Sequence, residues 1–241
     1  MKLSDLKIAT RLYLGYGILV GITAIVVAIA YANVTALDSA NDANVHTYRV
    51  LAEVDGAMEA LVNIETGERG YALTGQADSL QPYTAGKQDF QQHLERALAL
   101  TAGDEALQAH LKKLAQHQND WLAQAIDPVI AQRRAAVDGD LAQVVATIRE
   151  GKGTAGMDAM RAVVAQVRAV EEEALVQRAA DIAEARSAMR RTLIGGGLIA
   201  GALAVFMAYQ LGRNISIPLS RAVGLARRVA QGDLTAEVKV R

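Results

Sequence analysis

Cysteine is absent, tryptophan occurs once, phenylalanine twice and proline three times in 241 residues. Without cysteine there is neither a disulfide framework nor a thiolate metal site. The histidines, His46, His93, His110 and His117, are scattered, and His110 and His117, which share a helical face, have no third ligand near them, so no metal and no cofactor is expected. An excess of one charge sign is also missing: 25 basic and 26 acidic residues give a net charge of -1. That balance excludes a nucleic-acid partner bound through a basic face. No nucleophile motif, phosphate-binding glycine loop or paired-carboxylate constellation occurs, so catalysis is not expected. What remains is rich in Ala, Leu, Glu, Gln and Arg, a helix-forming mixture with few prolines to interrupt it. The expected fold class is all-α.

Two apolar runs stand out. The first, residues 12–32, follows a head (residues 1–11) carrying Lys2, Lys7 and Arg11. Ala30-Tyr31-Ala32 fits the small-x-small pattern of a signal-peptidase site, so cleavage after Ala32 stands as one reading. An apolar run of about 20 residues exceeds a signal-peptide core and suffices to cross a bilayer, so an uncleaved anchor is the other. The second run, residues 192–212, has no charged residue and is bracketed by Arg190, Arg191 and Arg213. Tyr13, Tyr16, Tyr31 and Tyr209 lie where interfacial aromatics are placed. Gly17/Gly21 and Gly197/Gly201 have the spacing that permits close helix approach. Basic residues in the head and after the second run (Arg213, Arg221, Arg227, Arg228) orient both ends to the cytoplasm. Residues 33–191 are then periplasmic, in a protein of the bacterial inner membrane that contacts the lipid bilayer through two spans.

Between the runs, apolar residues recur at helical spacing. Leu51, Val54, Met58 and Leu61 alternate steps of three and four, and the next position is Glu65, a carboxylate expected on the buried side. If Glu65 forms a buried pair with Arg69, one helical turn on, its removal would destabilise the fold by about 3–5 kcal/mol. Thr74 to Asp78 breaks the pattern, with Asp78 or Ser79 placed to cap a second helix bearing Leu80, Tyr83, Phe90, Leu94 and Ala97. Thr101 to Asp104 is the next turn. A third helix presents Leu107, Leu111, Leu114, Gln118, Trp121 and Ala125, with a kink expected at Asp127-Pro128. Gly139 and Gly151 to Gly153 mark further breaks. The last helix presents Val163, Val167, Val170 and Ala174 and runs on into the second apolar segment. Long helices joined by short turns pack as an up-down four-helix bundle. Helices of about 40 residues would project roughly 60 Å.

Glu65-Thr66-Gly67-Glu68-Arg69-Gly70-Tyr71-Ala72-Leu73-Thr74-Gly75 closely resembles the signature of the CHASE type-three extracellular sensor domain. Gly151 to Arg161 is similar to that family's later Gly-Lys-x-x-Met-Asp-x-x-Arg segment, with Met157, Asp158 and Arg161 in place. Lys152 departs from the pattern by two residues, and Thr154 holds the matching position. The resemblance covers about residues 40 to 185. Leu6 to Leu12, followed by Leu14-Gly15-Tyr16, resembles the opening of methyl-accepting chemotaxis proteins. Arg213 to Leu219, with Gly232-Asp233-Leu234, resembles the first helix of a HAMP signal-relay domain and the start of its connector, over residues 213–241. Pro218 sits near that helix's start. Leu219, Ala222, Ala226 and Val229 are spaced as a coiled-coil seam that needs a partner helix, with Gly232 and Asp233 in the turn that ends it.

These resemblances imply a homodimeric chemoreceptor that senses a small-molecule ligand or a periplasmic binding protein. It would signal through HAMP to an output domain, expected beyond Arg241, that governs a cytoplasmic chemotaxis kinase complex. A membrane histidine kinase or a nucleotide cyclase is the alternative output. Glu65, Arg69, Tyr71 and Tyr83 are the candidate ligand-binding residues. The same four also suit a structural role, the charged pair as an ion pair at a helix bend and the tyrosines as amphipathic core. Arg133 and Arg134 suit either an anion or a solvated face.

Overall fold

The structure is a computed structural model, and it describes residues 8–136, 141–213 and 217–230. The described residues are almost wholly helical, with no strand among them. Among the described residues seven α-helices follow one another: α1 (Ile8–Thr74), α2 (Gln81–Leu100), α3 (Glu105–Trp121), α4 (Asp127–Ala135), α5 (Ala142–Arg149), α6 (Lys152–Leu211) and α7 (Ile217–Ala230). The chain divides into two compact units, Asp38–Asp181 and Met1–Leu37 with Ile182–Arg241.

Within Asp38–Asp181, α1, α2, α3 with α4, and α6 form an up-down four-helix bundle around one core. The polar ties between helices record the antiparallel order. His46 meets the Leu100 carbonyl oxygen at 3.0 Å and Glu53 meets His93 at 2.7 Å, so numbers fall on α2 as they rise on α1. Arg178 donates to the buried Thr47 hydroxyl at 2.9 Å and Arg168 pairs with Asp55, the same relation between α1 and α6. The expected third-helix stripe is the observed one: Leu107, Leu111, Leu114, Gln118 and Trp121 of α3 are all buried, as is Ala125 just beyond it. Phe90, Leu94 and Ala97 of α2 are buried, with Leu80 and Tyr83 half-buried at the margin.

Two stripes differ from expectation by one position. On α1 the buried face is Val50, Val54, Ala57, Leu61, Ile64 and Glu68, while Leu51, Met58 and Glu65 lie half-buried at its edge. On α6 it is Met160, Val163, Val164, Val167 and Glu171, and Val170 is exposed. A straight helix has 3.6 residues per turn, so its inner face drifts away from a strict 3.5-residue repeat.

The turns are set by local chemistry. Gly75 takes φ +66°, a left-handed conformation in which its N–H closes on the Tyr71 carbonyl at 2.8 Å and ends α1. Neither Asp78 nor Ser79 caps α2. Instead Ala77–Leu80 forms a single 3-10 turn, Ser79 Oγ bonds Thr74 Oγ1 at 3.0 Å, and Pro82 opens α2. Asp104 caps α3, accepting from the Leu107 N–H at 2.9 Å. The expected kink at Pro128 takes the form of a π turn over Leu122–Ile126, where the Asp127 N–H reaches back five residues to Leu122. Pro128 has no N–H to give the Gln124 carbonyl in an α register, and the wider turn absorbs that loss. The Gly139 break lies outside the described residues.

In the other unit, the early part of α1 and the later part of α6 are each long and apolar enough to cross a membrane, with their apolar windows exposed. Met207 packs on Gly15 and Val26 on Gly196, whereas Gly17, Gly21, Gly197 and Gly201 face open space. Pro218, Leu219, Ala222, Ala226 and Val229 fall on α7, with Leu219 well exposed. Gly232 and Asp233 lie outside the described residues.

Candidate functional site

The Glu65 to Gly75 segment forms the last turns of α1 and the residue that ends it, where that helix packs closely on α2. A Cβ added at Gly86 would stand 2.7 Å from the Ala60 carbonyl oxygen and 2.9 Å from Ile64 Cγ1. Gly67 makes the reciprocal approach, against the Tyr83 backbone. Glycine is required at both points because the two backbones fill the space a side chain would need.

With Gly67 spent on that crossing, its neighbours turn toward α4, α5 and the start of α6. There a cavity of about 60 Å³ opens, bounded by Glu65, Glu68 and Arg69 of α1 and by Gln124, Ala125 and Ile126 of the π turn. Val129 of α4, Thr147 and Ile148 of α5, and Lys152, Gly153 and Thr154 of α6 complete it. The π turn thus supplies a whole wall, a placement common for such turns at functional sites. Trp121 fixes the α6 side: its Nε1–H donates to the Gly153 carbonyl at 2.8 Å.

Electrostatically the site is uneven. Arg69 and Glu65 pair at 2.7 Å, but the Arg69 side chain is 64% exposed and that of Glu65 15%, so the pair straddles the surface and is not the buried one expected. Lys152 pairs with Glu150 at 2.7 Å, both half in solvent. Glu68 is different. It is buried, its Oε1 has no hydrogen-bond partner among the described residues, and burial pushes its carboxyl up to about 7. The positive charge of Arg69 opposes that rise and the negative charge of Glu65 adds to it.

Of the four candidate ligand residues, Glu65 and Arg69 line the cavity and Tyr71 and Tyr83 do not. Tyr71 is part of the core. The Tyr83 hydroxyl donates to Asp127 Oδ1 at 2.7 Å and accepts from Lys87 Nζ at 2.9 Å. Burial holds it above the usual tyrosine range, with the Lys87 bond lowering and the Asp127 bond raising it. It ties α2 to α4. Both Lys152 and the spacing-matched Thr154 reach the cavity. Met157 is core, and Asp158 and Arg161 pair on the surface at 3.0 Å. The Arg133 guanidinium packs over Gly75, with its Nε buried and unpartnered among the described residues, while Arg134 is exposed. Sequence reasoning passed over Glu68, although it follows Glu65 by three in the same alternation of threes and fours.

No curated protein and no solved structure matches the chain. The model of the CHASE3 domain, a sensor domain of signalling proteins, matches residues 40–181. That match spans more than half of the sequence and contains both the cavity and the Glu65 to Gly75 segment, and the chain belongs to the CHASE3 domain family.

Proposed function

We propose that the chain is the sensory and membrane-spanning part of a chemoreceptor of the methyl-accepting type, acting as a receptor and not as an enzyme. It sits in the bacterial inner membrane with its bundle in the periplasm, works as a homodimer, and passes its signal through a HAMP unit to a chemotaxis kinase complex. The observation that carries this reading is a shared pair of helices. The cavity takes one wall from α1 and another from the start of α6, and each runs without a break into an apolar segment long enough to cross a membrane. A stimulus that binds the cavity acts through its difference in affinity for two arrangements of α1 against α6. A ligand that enters directly is favoured over a periplasmic binding protein, because the polar groups converge on a cavity.

Further support comes from the chain's resemblance to chemotaxis proteins at its head and to HAMP after Gly212. Leu219, Ala222 and Ala226 are exposed on α7, as a coiled-coil seam awaiting a partner helix would be. The glycines at 17, 21, 197 and 201 leave room for a second copy's helices.

The test is to isolate the native polypeptide from its own cells with an antibody against residues 38–181 and read its peptides by mass spectrometry. Peptides of a long heptad-repeat hairpin bearing glutamyl methyl esters are expected. A histidine-kinase core or a cyclase domain on the same polypeptide would overturn the chemoreceptor reading while leaving the sensor in place.

A further inference from the structure

Four charged side chains line the cavity: Glu65, Glu68, Arg69 and Lys152. Three of them are already neutralised, Arg69 and Glu65 by each other and Lys152 by Glu150. Glu68 forms no ion pair among the described residues, and it is the most deeply buried of the four, at 5% exposure. Its Oε1 accepts no hydrogen bond from the described residues. A buried carboxylate oxygen without a donor is unfavourable, and the cavity it lines is the place from which a donor can come.

We propose that this cavity binds a primary ammonium group, with Glu68 as its counter-ion. The proposal rests on the sensor reading above and names the class of ligand. The charges present ask for one positive charge and no more. An ammonium group brings that charge together with three N–H donors, and the neutral oxygens around Glu68 suit the other two. Thr147 already donates its hydroxyl proton to Gln132 Oε1 at 2.8 Å, which leaves its lone pairs to accept. Thr154 and Gln124 add further oxygens. About 60 Å³ admits only a few heavy atoms, so the ammonium and its first carbons fit beside Ile126 and Val129, while a longer tail leaves by the mouth.

The same tally excludes other classes. A quaternary ammonium has no N–H to give the Glu68 oxygen. A bare metal ion would find one free carboxylate, and no group of three metal-ligating side chains occurs among the described residues. An anion would meet Glu68 with both cations already engaged.

Protons compete for the same oxygen. Among the described residues, Glu65 and Arg69 of α1 and Lys152 of α6 are the charged groups that line the cavity with Glu68; the lining from the π turn, α4 and α5 is uncharged. Since the Glu68 carboxyl is pushed up to about 7, affinity for an ammonium falls about tenfold per pH unit below that value.

The test uses the full chain in lipid nanodiscs, titrated with methylammonium chloride and followed by Trp121 fluorescence and thermal unfolding. A saturable response is expected at pH 8.5, at least tenfold weaker at pH 5.5, and absent with tetramethylammonium or potassium. Ammonium chloride in parallel separates the free ion from an alkylamine as the preferred form. Glu68→Gln abolishes the response and Arg134→Met, at an exposed position outside the cavity, leaves it. Should the Glu68 variant not fold, cross-relaxation between ¹⁵N-methylammonium protons and the cavity threonines of the unaltered chain carries the same test. No saturable response at pH 8.5, an equal response to potassium, or a response undiminished by Glu68→Gln overturns the proposal. Because the mass-spectrometric test involves no ligand, a receptor without amine binding and an amine site without a receptor remain distinguishable outcomes.

Discussion

Glu68 should make this bundle less stable as the pH rises, the reverse of a paired carboxylate. Its folded carboxyl stands near 7 against an ordinary value of 4.5, chiefly because burial disfavours the charged form. The folded state therefore holds a proton that the unfolded chain gives up, and stability falls as pH climbs from about 4.5 to 7. That difference is worth roughly 3 kcal/mol at 1.36 kcal/mol per pH unit, fully developed above pH 7. Glu68→Gln keeps the shape and removes the titration. Comparing the two chains cancels every other titrating group. Urea unfolding of both in nanodiscs, read by Trp121 fluorescence and far-UV circular dichroism, is the assay, since Trp121 is buried in the bundle and is the sole tryptophan. The unaltered chain should lose roughly 3 kcal/mol relative to Glu68→Gln between pH 4 and pH 8.5. A change below about 1 kcal/mol, or one of opposite sign, would mean that Glu68 is solvated or paired, and the argument from burial would fail.

Replacing Glu65 with Gln should cost less than about 1 kcal/mol, because its partner Arg69 is largely in solvent; a loss of several kcal/mol in the same urea assay would restore the buried pair. Leu114→Ala removes a fully buried side chain at the centre of the core and should cost about 3–5 kcal/mol, seen as a lowered unfolding midpoint with unchanged helical signal. Gly75→Ala forces a Cβ onto a left-handed residue and against the Arg133 guanidinium, and should cost about 1–2 kcal/mol. An unchanged midpoint would show that the α1–α2 turn relaxes without penalty.

The α3 stripe from Leu107 to Trp121 was fully legible because apolar spacing on a regular helix reports burial directly. On α1 and α6 apolar spacing misreports the inner face by one position. A heptad template placed Glu65 and Val170 inward, where the straight helix instead presents Ile64 with Glu68, and Glu171. Pro128 announced a disturbance, but one proline is compatible with a kink, a break or a π turn, and only the packed structure chooses among them. The cavity was half legible. Glu65 and Arg69 could be named because they lie in one motif, whereas Gln124, Thr147 and Lys152 come from three other elements whose meeting is a tertiary fact. Tyr71 and Tyr83 share the motif's neighbourhood yet are occupied elsewhere, one by the core and the other by Asp127.

The motif's spacing explains why a polar cavity exists here at all. Gly67 lets α1 press against α2, so a side chain one step further round the helix cannot turn that way. Glu68 is that side chain. Glu65 precedes it by three and Arg69 follows it by one, and those two pair with each other, so Glu68 forms no ion pair among the described residues. A standard α-helix at Pro128 would carry Ile126 and Val129 in a different register, and the π turn adds the residue that brings Gln124, Ala125 and Ile126 around to face α1. Leucine where Glu68 stands would stabilise the bundle at every pH, since it would be buried without a titrating group. Retaining an acid there sacrifices stability above neutral pH, which is intelligible if its charge has an occupant to meet.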